Sequence, residues 1–125
     1  MTGEEIRSYR DLHVWQKAMA WTEAVYRLTS RFPSDERLGL ISQIRRSSVS
    51  VAANIAEGAG RRSTGEFLQF LGIARGSLAE AETLVLLSGR LGYCTERDVT
   101  GLLEQADEIS RMSAALIASL KKRQK

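Results

Sequence analysis

Gly39–Ser63 reads GLISQIRRSSVSVAANIAEGAGRRS, and the reading of this stretch decides the fold. At about 100° per residue, Ile41, Ile44, Ser48, Val51 and Ile55 gather on one side as a core stripe. Gln43, Ser47, Ser50, Asn54 and Glu57, stepping +4, +3, +4, +3, form a second stripe of their own. A surface helix ordinarily scatters Lys and Glu over such a face, whereas this one aligns amides, hydroxyls and a single carboxylate. The pattern predicts a helix that meets something specific on two faces, its polar stripe buried and hydrogen-bonded at a helix or subunit contact. The same residues also fit a plain solvated face. Arg45-Arg46 and the turn Gly58-Ala59-Gly60-Arg61-Arg62 add positive charge around the stripe.

Three further helices follow the same logic. Before the central stretch, Val14, Ala18, Trp21, Val25, Leu28 and Phe32 step +4, +3, +4, +3, +4. Asp11 reads as the cap of this first helix, and Phe32-Pro33 ends it because the residue before proline avoids the α region. Ser34 reads as the cap of the second helix, with Asp35 and Glu36 in its first turn, and Gly58 as its left-handed terminator. Ser63-Thr64-Gly65-Glu66 is a capping box. It opens a third helix whose core stripe is Phe67, Leu71, Ala74, Leu78, Ala81 and Val85, closed by Gly92. Thr95 with Asp98 starts the fourth, carried by Leu102, Ala106, Ile109, Ser113, Leu116 and Leu120. The expected helices span about 12–31, 35–57, 64–90 and 96–121, with residues 1–8 and 122–125 loose. Short connections make neighbours antiparallel, so the expectation is one all-α domain over 1–125, an up-down-up-down four-helix bundle.

Length and composition agree. The 125 residues are 43% hydrophobic and 26% charged, with one proline, Pro33, and no strand-like alternation. The first residues, MTGEEIRSYRD, hold no apolar run, and no stretch approaches the ~18–20 apolar residues of a membrane span. A single cysteine, Cys94, excludes an internal disulfide and suits a reducing compartment. A cytoplasmic protein with no membrane role is expected. The formal net charge is +3, with 14 Arg against 4 Lys, three of those Lys within the last five residues. Arginine's planar fork suits carboxylate and phosphate alike, so the excess fits subunit contacts as well as nucleic acid.

The third helix carries a second irregularity. Gly65, Gly72, Gly76, Ala79 and Thr83 share a face nearly opposite the core stripe, although an interior glycine costs roughly 1 kcal/mol against alanine. Phe70, Ile73, Leu84 and Leu87 also point away from the stripe's centre. A helix apolar over most of its circumference is usually buried over most of it, and self-association is the simplest remedy.

Nothing in the sequence assembles a catalytic, metal or cofactor site. His13 is the only histidine, where di-iron bundles need a Glu-x-x-His on each of two helices and zinc needs several Cys or His. GAGRRS follows no strand and is not a phosphate cradle of the P-loop kind. Cys94 has no base beside it. Glu57, Glu80 and Glu82 read as ion-pair partners of arginines rather than general acids, with Glu57 or Glu82 expected opposite Arg45, Arg46 or Arg75 on a neighbouring helix or subunit. No enzyme activity, metal or cofactor is expected.

Particular runs carry a family likeness: Tyr9-Arg10-Asp11-Leu12-His13-Val14-Trp15-Gln16-Lys17-Ala18, then Phe32-Pro33, Gly39-Leu40 and Ile44-Arg45-Arg46-Ser47. Asn54-Ile55-Ala56-Glu57-Gly58, Ile73-Ala74-Arg75-Gly76-Ser77 and Leu91-Gly92-Tyr93 continue it. Over residues 9–93 the chain resembles the bacterial four helix bundle proteins encoded in intervening sequences of 23S ribosomal RNA genes; the fourth helix matches only in pattern. The resemblance implies a cytosolic all-α subunit of a closed ring, typically a pentamer, without enzymatic activity. Related bundles bind RNA and protein through basic surfaces, which is analogy rather than chemistry.

Two functions from different classes follow. The first is a non-enzymatic oligomer that binds structured RNA, with phosphate contacts from Arg61, Arg62, Lys121, Lys122 and Arg123, and from Arg45 and Arg46. The second is a protein–protein adaptor ring with no nucleic-acid role, its arginines committed to subunit contacts. In both, the interface or buried network would draw on Gln43, Ser47, Ser50, Asn54, Glu57, Gly72, Arg75, Gly76 and Glu82.

Overall fold

The computed structural model describes residues 8–124. Four helices run α1 (His13–Thr29), α2 (Leu40–Ala59), α3 (Thr64–Arg90) and α4 (Glu96–Arg123). Each packs against two others, α1 and α3 both lying between α2 and α4. Consecutive antiparallel neighbours therefore close into an up-down-up-down four-helix bundle. The apolar stripes meet along its axis, where Trp21, Ile44, Ile55, Leu71 and Ile109 are almost completely buried. Removing a side chain of this size from water stabilises the fold by about 1.5–3 kcal/mol.

Polar groups inside this core are satisfied locally. The indole Nε1 of Trp21 donates to the carbonyl of Leu102 at 2.9 Å, joining α1 to α4. Thr22 Oγ1 lies 2.8 Å from the Ala18 carbonyl, within its own helix, and 3.1 Å from that of Ser48 on α2. Thr29 and Ser88, both fully buried, donate to the carbonyls four residues back at 2.8 and 2.7 Å. Such back-bonding lets a hydroxyl enter a helix-packed core without an unmet donor.

Helix starts depart from expectation in two places. Asp11 does not cap α1. It lies in a short 3₁₀ turn, Tyr9–Asp11, capped by Ser8, and Leu12 precedes the helix with no side-chain cap. Helix α2 starts at Leu40 rather than near residue 35, because Ser34–Glu36 close only a 3₁₀ turn after Pro33. Glu36 spends its carboxylate elsewhere: Oε1 accepts from the Leu40 N–H at 3.1 Å, and Oε2 accepts from the Tyr93 hydroxyl at 2.8 Å. One side chain thus caps α2 from outside and ties the α1–α2 connection to the α3–α4 turn. That bond to Glu36 and partial desolvation hold the Tyr93 phenol above its ordinary pKa.

The glycines divide by what surrounds them. Gly58 is not a terminator: α2 continues to Ala59 and Gly60 sits at its C-cap with helical backbone. Its reason is proximity, since a Cβ there would stand 2.7 Å from the Cβ of Phe70 and 3.0 Å from Phe67. Gly92, at φ 79°, has the left-handed conformation that closes α3. Ser63 and Thr95 cap α3 and α4 by accepting from the N–H of Glu66 and Asp98. Helix α4 extends through Arg123, past the expected loose start of the tail. The loose leader expected over 1–8 and Lys125 lie outside the described residues, save Ser8.

Opposite outcomes are expected at two glycines. Gly58→Ala gains about 1 kcal/mol of helix propensity but overpacks against Phe70, for a net loss of about 1–3 kcal/mol. Gly101→Ala, where a Cβ meets nothing within 4 Å, should instead gain up to about 1 kcal/mol. Urea unfolding followed by circular dichroism compares them; a gain at both positions would show that α3 does not crowd Gly58.

Candidate functional site

The polar stripe of α2 lies along an open groove against α3. Gln43, Arg46, Ser47, Ser50, Ser77 and Glu80 line about 360 Å³ of it. Burial is graded along the stripe: Ser47 is buried, Ser50 and Asn54 are half-buried, and Gln43 and Glu57 are exposed. Ser47 Oγ donates to the Gln43 carbonyl at 3.0 Å. The hydroxyls of Ser50 and Ser77 meet across the helices at 2.8 Å. Asn54 Nδ2 donates to the carbonyl and hydroxyl of Ser50 at 2.8 and 2.9 Å. Within one chain, then, the hydrogen-bonded network holds Ser47, Ser50 and Asn54, and the stripe's ends face outward.

Within one chain the ion pairs differ from those expected on a neighbouring helix. Glu57 pairs with Arg61, four residues on, at 2.9 Å. Arg45 turns to α1, where its Nε donates to Thr29 Oγ1 at 2.8 Å and its Nη2 to the Tyr26 carbonyl at 3.2 Å. Its guanidinium also stacks 4.5 Å over the Tyr26 ring. A cation belongs there, beside the last carbonyls of α1. Arg46 and Arg75 are exposed and form no ion pair among the described residues. Glu82 faces Asp107 of α4 rather than an arginine, and partial burial together with that like charge raises its pKa.

The expected phosphate-binding residues separate into two places. Arg61 and Arg62 lie in the α2–α3 turn, and Lys121, Lys122 and Arg123 form the last turn of α4. These two segments touch: a Cβ at Gly65 would lie 3.3 Å from the Gln124 amide nitrogen. Antiparallel packing brings Arg10, just before α1, to the same end. Arg61 is held by Glu57 and stacks 4.8 Å over Phe70. Arg62, Lys121, Lys122 and Arg123 are exposed, with no ion pair among the described residues. Arg45 and Arg46 are not part of this end, since α2 continues from Arg46 to Ala59 before the turn, roughly 20 Å of helix. The Lys-Lys-Arg run also favours the carbonyl end of α4 through the helix dipole. Sequence reasoning passed over Arg10, although an up-down topology sets the start of α1 beside the end of α2.

The small-residue face of α3 is open in the single chain. Gly72 and Gly76 are exposed, and nothing lies within 4 Å of a Cβ at either. Ile73, Leu86 and Leu87 are 43–47% exposed on that helix. Phe70 and Leu84 are half-buried. A second apolar patch lies between α1 and α2, where Met19, Tyr26 and Val49 border a groove of about 370 Å³. Among the described residues no group of three or more His, Cys, Asp and Glu is placed to hold a metal ion. None of their helices is long and apolar enough to cross a membrane. Cys94 is half-buried, and desolvation with the neighbouring Asp98 raises its thiol pKa, away from the reactive thiolate.

The raised Glu82 pKa gives a testable sign. A carboxyl favoured in its neutral form by folding contributes stability at low pH and loses it as pH rises through the folded value. Glu82→Gln should therefore stabilise the protein at pH 7, and the gain should vanish below the ordinary carboxyl value of 4.5. Denaturant unfolding at several pH values checks this; a loss of stability at pH 7 would mean that Glu82 has a cationic partner.

Comparison with known proteins gives a consistent picture. A crystal structure of a protein of unknown function from the S23 ribosomal protein family of Bacteroides thetaiotaomicron superposes with a TM-score of 0.73. The two are 25% identical, over 83% of this chain and 97% of that one. No curated protein matches. Nothing in these relatives points to catalysis. Residues 10–115 match the model of the 23S rRNA-intervening sequence proteins, and with that match over most of its length, on a four-helix bundle shared with the S23 protein, the chain belongs to the 23S rRNA-intervening sequence protein family.

Proposed function

We propose that this chain is a non-enzymatic subunit that associates with copies of itself and holds structured RNA by its phosphate backbone. One observation carries the RNA reading: the fold gathers Arg10, Arg61, Arg62, Lys121, Lys122 and Arg123 at one end of the bundle, from three separate segments. Five of these six cations lack an ion-pair partner among the described residues, and clustered unneutralised charge attracts a polyanion through counterion release. Phosphate contact without sequence reading fits the site, because no series of exposed aromatics for base stacking lies beside the cations among the described residues.

Self-association is supported by exposed apolar side chains on different faces, the groove of Met19, Tyr26 and Val49 on α1–α2 and the separate Ile73 and Leu86-Leu87 positions on α3. A contact between unlike faces closes into a ring when its rotation closes, in keeping with the pentamer that the family resemblance implies. The same patches favour the second reading, a protein–protein adaptor ring, in which the basic end serves solubility. A cytoplasmic location suits both.

The RNA reading is tested by anisotropy of a labelled hairpin RNA across a salt series. Arg62→Ala combined with Lys122→Ala should flatten the log-log salt slope by about one unit for each phosphate left unneutralised. Arg61→Ala should cost less than Arg62→Ala, because Glu57 already neutralises Arg61, and Arg46→Ala should leave the slope unchanged. No binding at ~50 mM salt would favour the adaptor ring. For assembly, light scattering over a dilution series should give a multiple of the 13.9 kDa chain, and Gly76→Leu should reduce it. A monomer with native helicity, or normal assembly of the variant, would remove α3's outer face as an interface.

A further inference from the structure

At the bundle end opposite the basic tail, a cleft of about 410 Å³ opens between α1 and α4. Three guanidiniums border it, those of Arg27, Arg31 and Arg97, against one carboxylate, Asp98. Asp98 is already engaged. Its Oδ2 accepts from the Thr95 N–H at 3.1 Å as the α4 cap and lies 3.8 Å from Arg31. Arg27 and Arg97 form no ion pair among the described residues, and Glu23, one turn before Arg27, does not reach it. Arg27 lies on the last turn of α1 and Arg31 in the turn that follows it, so two like charges meet at one wall of the cleft. A cleft that concentrates positive charge in this way is stabilised by an anion.

The cleft floor says what else the anion carries. Leu28 and Leu102, 5% and 6% exposed, and Ala24 line it. Gly101 leaves the α4 wall open, with nothing within 4 Å of a Cβ placed there. Gln105 adds an amide at the rim. Guanidinium forks match phosphate oxygens in paired fashion, and an apolar floor beside a few convergent polar groups is the usual form of a small-molecule site. We propose that this cleft binds a small phosphomonoester with an apolar or aromatic body, its phosphate held by Arg27, Arg31 and Arg97 and its body resting on Leu28 and Leu102.

Isothermal titration of the full chain with adenosine 5′-monophosphate, adenosine and inorganic phosphate tests this. The monophosphate should saturate with a sub-millimolar Kd, adenosine should not bind, and inorganic phosphate should bind at least ~10-fold more weakly than the monophosphate. Arg97→Ala and Arg27→Ala should each weaken monophosphate binding about 10-fold or more. Arg111→Ala, farther along α4 and outside the cleft, should leave it unchanged. Gly101→Leu, checked for native helicity by circular dichroism, should block binding by filling the cleft. No saturation by the monophosphate, wild-type affinity in Arg97→Ala, or an equal loss in Arg111→Ala would overturn the assignment. Inorganic phosphate binding as tightly as the monophosphate would overturn the role of the apolar floor.

Discussion

The close approach of α2 and α3 is the constraint on which the rest of the structure depends. At Gly58 the two helices leave no room for a side chain, so α2 can run on to Ala59 directly over Phe67 and Phe70. That contact fixes the α2–α3 turn and sets Arg61 over the Phe70 ring. Further along the same pair, the hydroxyls of Ser50 and Ser77 meet and Asn54 folds back onto Ser50. Small residues on both helices therefore do two things at once. They let backbones come near, and they leave a polar groove open to the outside.

Two clusters of positive charge stand at the bundle's two ends. Antiparallel packing alternates helix starts and finishes, so each end collects residues distant in sequence. One end takes the turn arginines, Arg10 and the last turn of α4; the other takes Arg27, Arg31 and Arg97 with Asp98. Some arginines are spent on structure. Arg45 satisfies Thr29 and a carbonyl in the last turn of α1, and stacks on Tyr26. Arg62, Lys121, Lys122 and Arg123 form no ion pair among the described residues, and surface pairs such as Lys17–Glu108 at 3.4 Å add little to stability.

At the opposite end from the tail, Glu36 organises the loops. Its two oxygens serve Leu40 and Tyr93, and Tyr93 in turn packs against Phe32 with ring centroids 5.5 Å apart. Pro33 is thus fixed between a buried aromatic and a capping carboxylate. This clasp explains why a sequence with Ser-Asp-Glu at a plausible helix start makes only a 3₁₀ turn there.

The sequence by itself determined the class, the four helices and their order. Apolar spacing of three and four is a local property of the chain, and the stripes from Val14 to Phe32 and from Phe67 to Val85 needed no partner to be seen. Caps of one residue reaching three ahead, Ser63 to Glu66 and Thr95 to Asp98, were legible for the same reason, as was the close of α3 at Gly92. Only the tertiary structure decided what depends on distance across the bundle. It gave Gly58 its role through Phe70, moved the start of α2 through Glu36 and Tyr93, and paired Arg45 with α1 instead of a glutamate. It also gathered two groups of arginines at opposite ends. Periodicity states which face a residue occupies; which residue of another helix stands opposite follows from packing, rotation and level along the bundle axis, and those are set when the helices meet.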